Sequence, residues 1–201
     1  MSALRTSPPR ERADAARNRA AALDAAAELF ARHGVEHVSM DAIAAAARVG
    51  KGTLFRRFGD KSGLAVALLD ERERALQHEI LYGPAPLGPG EPDDAPLPEE
   101  RLRAFVDAYL DYALDHLDLV RMSETASPGA RYRIGAYRFW HRHVALLIGS
   151  ALPEADADAD AHTVLAPLSA EHLRAVVAEE GADRVRRAAV TVVTALLASR
   201  R

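Results

Sequence analysis

Apolar residues recur at helical spacing along most of the chain, and the pattern predicts a succession of amphipathic helices. In the first, about Asp14–His33, Leu23, Ala26, Ala27 and Phe30 fall at i, i+3, i+4 and i+7, and Gly34 supplies the stop. Two short helices follow within Ser39–Phe58. Ser39 is placed to cap the first, Asp41 adds negative charge to its first turn, and Ile43 turns inward with small alanines. Ala47-Arg48-Val49 interrupts the run. A second helix begins near Gly50, with Leu54 and Phe58 facing in and Lys51, Thr53, Arg56 and Arg57 left facing out. Asp60 then caps a helix of about Lys61–Leu81 whose apolar face is Leu64, Leu68, Ala75 and Ile80.

Tyr82–Pro98 breaks the pattern. Six prolines and three glycines in seventeen residues predict a loop or a partly disordered spacer. Helical spacing resumes over about Pro98–His116, a short segment Leu117–Thr125, and about Ala130–Leu152. A helical piece is expected near His162–Ala166, then helices over about Ala170–Glu180 and Ala182–Ser199, separated by Gly181. Val190–Thr194 has strand-like composition, yet Val185, Ala189, Val192, Val193 and Leu196 keep the helical period. The expected fold is all-α: a helix-turn-helix domain over residues 1–60 with a basic N-terminal arm, and a larger helical body over 61–201 interrupted by the loop at 82–98.

Charge sharpens this division. Residues 1–62 hold 11 Lys/Arg against 7 Asp/Glu, a net of +4, and the remainder holds 15 against 22, a net of −7. A basic head on an acidic body fits a protein that brings only its head to a phosphate backbone. The chain has no Cys, which excludes disulfides and thiolate metal sites. No apolar run reaches the length of a membrane span and the N-terminus is too polar for a signal peptide, so no membrane association and a cytoplasmic location are expected.

Two short helices joined by a tight turn, the second with a basic outer face, are the makings of a helix-turn-helix that lays its second helix in the DNA major groove. The stretch also resembles the DNA-binding signature of the TetR/AcrR regulators, close to IA-x-x-AGVSKGTLYRHF. Ile43-Ala44, Ala47, Val49, Lys51-Gly52-Thr53-Leu54, Arg56 and Phe58 match it, within a similar frame from residue 17 to 68. The resemblance implies a homodimeric transcriptional regulator, a repressor that binds a palindromic operator in double-stranded DNA and is released by a small-molecule effector. Ser39, Thr53 and Lys61 are then expected at phosphates, and Lys51, Arg56 and Arg57 on the groove side with Gly50 and Gly52. Three positions depart from the signature. Arg48 stands where the family has Gly, and a phosphate contact would explain its charge there. Gly50 replaces the usual Ser cap, and Phe55 replaces a Tyr, removing its hydroxyl.

A single short helix reads only a few base pairs, so a two-fold pair of heads is expected. By the resemblance, the last two helices would form the dimer interface, with Leu173, Val177, Val185, Ala189, Val192, Val193 and Leu196 as its apolar residues. Aromatics are scarce, five Phe, five Tyr and one Trp. Yet Phe105, Tyr109 and Tyr112 share one face of a helix, and Tyr137, Trp140 and His141 lie near one face of another. Clustered Tyr and Trp bring polar atoms that a plain core does not need, so they are expected to line an effector pocket with Met122 as a flexible wall.

Other chemistry is weakly represented. Gly50-Lys51-Gly52-Thr53 echoes a phosphate-binding loop but lacks the upstream Gly and the preceding strand. Asp156, Asp158 and Asp160 suggest calcium, but the Gly and the bidentate Glu of an EF-hand are missing, so a solvated acidic loop is expected. His141 and His143 are two apart and diverge on a helix. No catalytic residue, metal site or cofactor is expected. The alternative to an effector-controlled repressor is a DNA-binding architectural or regulatory protein without a ligand.

Overall fold

The computed structural model describes residues 9–198, with side chains from residue 13 onward. Of the expected basic arm, residues 1–8 lie outside the described residues, as does Ser199. Ten α-helices and four short 3-10 turns make up the described residues, with no strand among them. Two compact units divide between Leu68 and Leu69, inside the fourth helix.

The N-terminal unit contains α1 (Pro9–His33), α2 (Met40–Ala46), α3 (Lys51–Phe58) and the first turns of α4 (Lys61–Tyr82). It buries Ala22, Ala26, Phe30, Val35, Val38, Ile43, Leu54, Leu64 and Ala65. α1 starts earlier than the apolar spacing indicates, because its first turns are polar and carry no stripe. Ala27 is exposed, and its expected place is taken by Ala22 and Ala25. Ser39 caps α2 as expected, its Oγ accepting from the amide of Ala42 at 3.1 Å. α4 leaves α3 so abruptly that a Cβ on Gly63 would stand 1.9 Å from the carbonyl oxygen of Phe58. Only glycine fits that approach.

The C-terminal unit holds the rest of α4 with α5 (Pro98–Asp115), α6 (Leu117–Glu124), α7 (Gly135–Ala151), α8 (Ala157–Leu165), α9 (Ala170–Glu180) and α10 (Ala182–Ala198). α5 packs against α7 and α10, and α7 lies along α8. Their core includes Ile80, Leu102, Phe105, Leu110, Trp140, Ile148, Leu165, Leu173 and Val193. Leu69, Val120 and Ala170 form a smaller cluster. Ala75 of α4 faces out instead of in.

Two expectations need correcting. Ala130–Arg133 is a 3-10 turn, and α7 begins only at Gly135. The acidic run is not a loop: Asp156 caps α8, accepting from the amide of Ala159 at 3.2 Å, and Asp158 and Asp160 lie in its first turn. Carboxylates there satisfy free N–H groups and complement the helix dipole. The Pro-rich connection is a loop with one 3-10 turn at Pro92–Asp94. Arg101 ties it down, donating to the carbonyl of Ile80 at 2.9 Å and to that of Leu87 at 3.4 Å.

Candidate nucleic-acid interface and effector core

The turn between α2 and α3 is set by backbone bonds. The amide of Val49 reaches the carbonyl of Ala44 at 3.0 Å, and that of Thr53 reaches Gly50 at 2.8 Å. Arg48 has φ 54°, the one non-glycine residue at positive φ among those described. A side chain there costs roughly 1 kcal/mol. Gly50 occupies the N-cap of α3 with no side-chain bond to offer.

Around this turn stand Arg48, Lys51, Phe55, Arg56 and Arg57, all exposed, with Thr53 half-buried. Their partners differ. Lys51 Nζ lies 2.7 Å from Asp41 Oδ2, and 5.9 Å from the centre of the Phe55 ring. Both charged groups are exposed, so the pair is weak and readily exchanged. Arg57 is half committed to the fold, its Nη1 donating to the carbonyl of Ala15 on α1 at 2.7 Å. The side chains of Arg48 and Arg56 make no hydrogen bond or ion pair among the described residues.

Lys61 is where the expected phosphate contact meets a different arrangement. Its ammonium donates to the carbonyls of Val35 at 2.8 Å, Glu36 at 3.2 Å and Val38 at 3.0 Å. All three of its hydrogens therefore serve the turn between α1 and α2, whose carbonyls have no helical partners. Nothing in a family signature separates a lysine bound to carbonyls from one facing solvent.

In the C-terminal unit the expected aromatic residues do converge. Phe105, Tyr109, Tyr137 and Trp140 are buried, and Tyr112, Met122 and His141 are half-buried. Ring centres lie 5.9 Å apart for Tyr109 and Tyr112, 6.0 Å for Tyr109 and Trp140, and 6.4 Å for Tyr112 and Trp140. The cavity between them is only about 10 Å³, the space of a single water. Tyr109, Tyr112, Tyr137 and Trp140 line it, whereas Phe105, Met122 and His141 do not. Phe105 is wholly inside the core, and His141 faces an outer groove across α7.

The rest of the lining is Val120, Ile134 and Ala136 together with Glu73, Ser123 and Glu124, and the last three were not anticipated. Glu73 follows Leu69 by four and precedes Leu76 by three, so a carboxylate interrupting an apolar stripe is the signal that could have found it. Tyr112 donates to Glu73 Oε1 at 2.9 Å. Burial raises the Glu73 pKa, opposed by that bond and reinforced by Asp70. Burial also raises the phenols of Tyr109 and Tyr112. Glu124 forms a buried pair with Arg131 at 2.7 Å and accepts from the amide of Ala170 at 2.8 Å. Arg131 in turn donates to the carbonyl of Leu165 at 2.8 Å, joining α6, α8 and α9. Burial raises Glu124 and Arg131 draws it back down.

The expected dimer residues divide into two sets. Leu173, Val193 and Val185 are buried in the core of their own chain. Val177, Ala189 and Leu196 are half-buried, and Val192 is 54% exposed. Ala188, Ala189 and Val192 line an apolar groove of about 140 Å³ with Pro167, His172 and Val176. A helix stripe this wide serves two faces, and spacing alone does not say which residue serves which.

Fold and head together define a helix-turn-helix protein with an all-helical body. Residues 22–68 match the sequence model of a family described as bacterial regulatory proteins, tetR family. An HTH-type transcriptional repressor of Streptomyces coelicolor is 30% identical over 49% of this chain and 44% of its own length. An HTH-type transcriptional regulator of Staphylococcus aureus is 31% identical over 63% and 64%. The chain thus spans less than two thirds of either relative. In structure it is similar to a TetR-family transcriptional regulator from Pectobacterium atrosepticum, with TM-score 0.63 and 24% identity over 94% of this chain and 96% of that one. It is also similar to FadR of Thermus thermophilus, a TetR-family repressor in complex with lauroyl-CoA, with TM-score 0.61 and 19% identity over 89% and 92%. The structural likenesses speak to fold alone. Over residues 22–68, then, the chain carries the sequence pattern of the tetR family, and its fold is similar to that of solved TetR-family regulators.

Proposed function

We propose that the protein is a sequence-specific transcriptional repressor that binds a palindromic operator as a homodimer and is released by a small molecule held in the α5–α7 core. The observation that carries the DNA-binding reading is the outer face of α3. Gly52 lies in the first turn of that helix, and a Cβ there would meet nothing within 4 Å. Nothing inside the chain requires glycine at this position, although glycine weakens a helix by up to about 1 kcal/mol relative to alanine. A close approach from outside accounts for it, and the phosphate backbone is the surface that the neighbouring Arg48, Lys51 and Arg56 would meet. Arg48, held at positive φ without an internal partner, fits the same reading.

Gly52→Met separates fold from function. Because the site is open, the variant should fold with unchanged or slightly raised stability, yet lose operator affinity by tenfold or more in fluorescence anisotropy with duplex DNA from the protein's own promoter. Unchanged operator affinity in a folded Gly52→Met protein would contradict placement of α3 in the groove.

Val192, exposed beside the apolar groove on α9 and α10, supports the homodimer reading. The aromatic residues and carboxylates gathered around one small cavity support the effector reading, since a plain core is filled more cheaply by aliphatic side chains.

A further inference from the structure

We infer that the open groove on the outer side of α7 and α8 is a binding site for a flat aromatic ring that carries a phosphate. The site is distinct from the core cavity proposed above for the effector and independent of that proposal.

The groove encloses about 650 Å³, and its charge runs against that of the body around it. Residues 63–201 carry 22 Asp/Glu against 15 Lys/Arg, yet two arginines, two histidines and no carboxylate line this groove. Arg138 and Arg142 stand one turn apart on α7, both exposed. Their side chains make no hydrogen bond or ion pair among the described residues. Like charges at that spacing repel, and nothing in the lining relieves them. A dianion would. Guanidinium groups present paired N–H donors to phosphate oxygens, so one phosphate answers both charges. Salt screens each such contact at an exposed site, and a ligand there must be held by more than charge.

The rings of the groove supply the rest. Tyr132 is 57% exposed, and its ring stands edge-on to Tyr137 with centres 5.0 Å apart. The wall behind it is fastened. Tyr137 shares a hydrogen bond of 2.6 Å with Nδ1 of His162, and the rings of His162 and His141 are centred 4.0 Å apart. His141 Nε2 donates to the carbonyl of Asp158 at 3.1 Å, tying α7 to α8. A flat ring from outside therefore finds the exposed face of Tyr132 beside a braced set of rings. Gly135, the first residue of α7, also lines the groove, and a Cβ there would meet nothing within 4 Å. No contact inside the chain calls for glycine at this position, and its lack of a side chain leaves room for an outside group. Inorganic phosphate would use the arginines and leave the rings bare. A neutral ring would do the reverse.

The test is calorimetric titration of the intact protein at pH 7.5 with phenyl phosphate, inorganic phosphate and benzyl alcohol. Phenyl phosphate should bind with a Kd at least tenfold below that of either other probe. Arg138→Gln combined with Arg142→Gln should remove its advantage over benzyl alcohol. Gly135→Leu keeps every charge and fills the groove, and it should weaken phenyl phosphate tenfold or more. Arg48→Gln combined with Arg56→Gln, in the basic head, should leave that affinity unchanged. Circular dichroism establishes the fold of each variant, and the comparison of probes on the wild-type protein is independent of all of them. No binding of phenyl phosphate at millimolar concentration, or equal affinity for inorganic phosphate, would overturn the site. So would binding that survives loss of Arg138 and Arg142 but not loss of the two head arginines.

Discussion

At the scale of single residues, the side chains that bear on function are those whose environment and chemistry disagree. Arg48 holds a backbone conformation suited to glycine, and Gly52 sits in a helix that would accept a larger residue. His143 is a further case. It is buried between the rings of Phe105 and Phe139, its Nε2 has no hydrogen-bond partner, and burial together with the charge of Arg101 holds its pKa down at about 4. Between the ordinary imidazole value of about 6.5 and this value, the unfolded chain carries a proton at His143 that the folded chain does not. Stability should therefore fall as pH drops through that window, by on the order of 3 kcal/mol in full, and this group should have no effect above it. Urea unfolding of wild type and His143→Leu at pH 7.5 and pH 4.5 checks this. The wild type should lose more stability across the interval than the variant, and equal losses would mean that His143 titrates normally.

At the scale of elements, most helices were legible in the sequence because they carry an apolar stripe at the helical period, whereas the acidic start of α8 has none and reads as a loop. Ser39, Asp60 and Gly34 mark boundaries by chemistry that acts locally: Ser39 Oγ accepts from the amide of Ala42, and Asp60 Oδ1 accepts from that of Gly63 at 2.9 Å. What spacing could not convey is which partner a stripe meets. Lys61 was legible as a basic residue at the start of α4, but not as the donor to three carbonyls of a distant turn. The aromatic residues were legible as a cluster, whereas its closure to about 10 Å³ depends on packing across four helices, α4 to α7. Glu124 and Arg131 were missed because an ion pair spanning separate elements leaves no periodic trace. α10 shows the same limit, with Val193 in the chain's own core and Val192, one residue back, facing out. Val192→Asp should leave the fold intact and convert the dimer to monomer in sedimentation equilibrium at micromolar concentration. A variant that remains dimeric would place the interface on another surface.

At the scale of the whole molecule, a basic head is joined to an acidic body, and the proposed function requires two copies to act together. Of the described helices, none is long and apolar enough to cross a membrane. On the proposed function the head would supply cationic groups for phosphates and a short helix for base edges, and two-fold pairing would multiply a modest discrimination per head into one suited to an operator. The most direct measurement is a titration of the intact protein on duplex DNA from its own upstream region, with shuffled duplex as control, at several salt concentrations. The account predicts two protomers per palindromic site, affinity about a thousandfold or more above the shuffled duplex, and a linear fall of log affinity with log salt. Equal affinity for both duplexes, or one protomer per site at saturation, would contradict it.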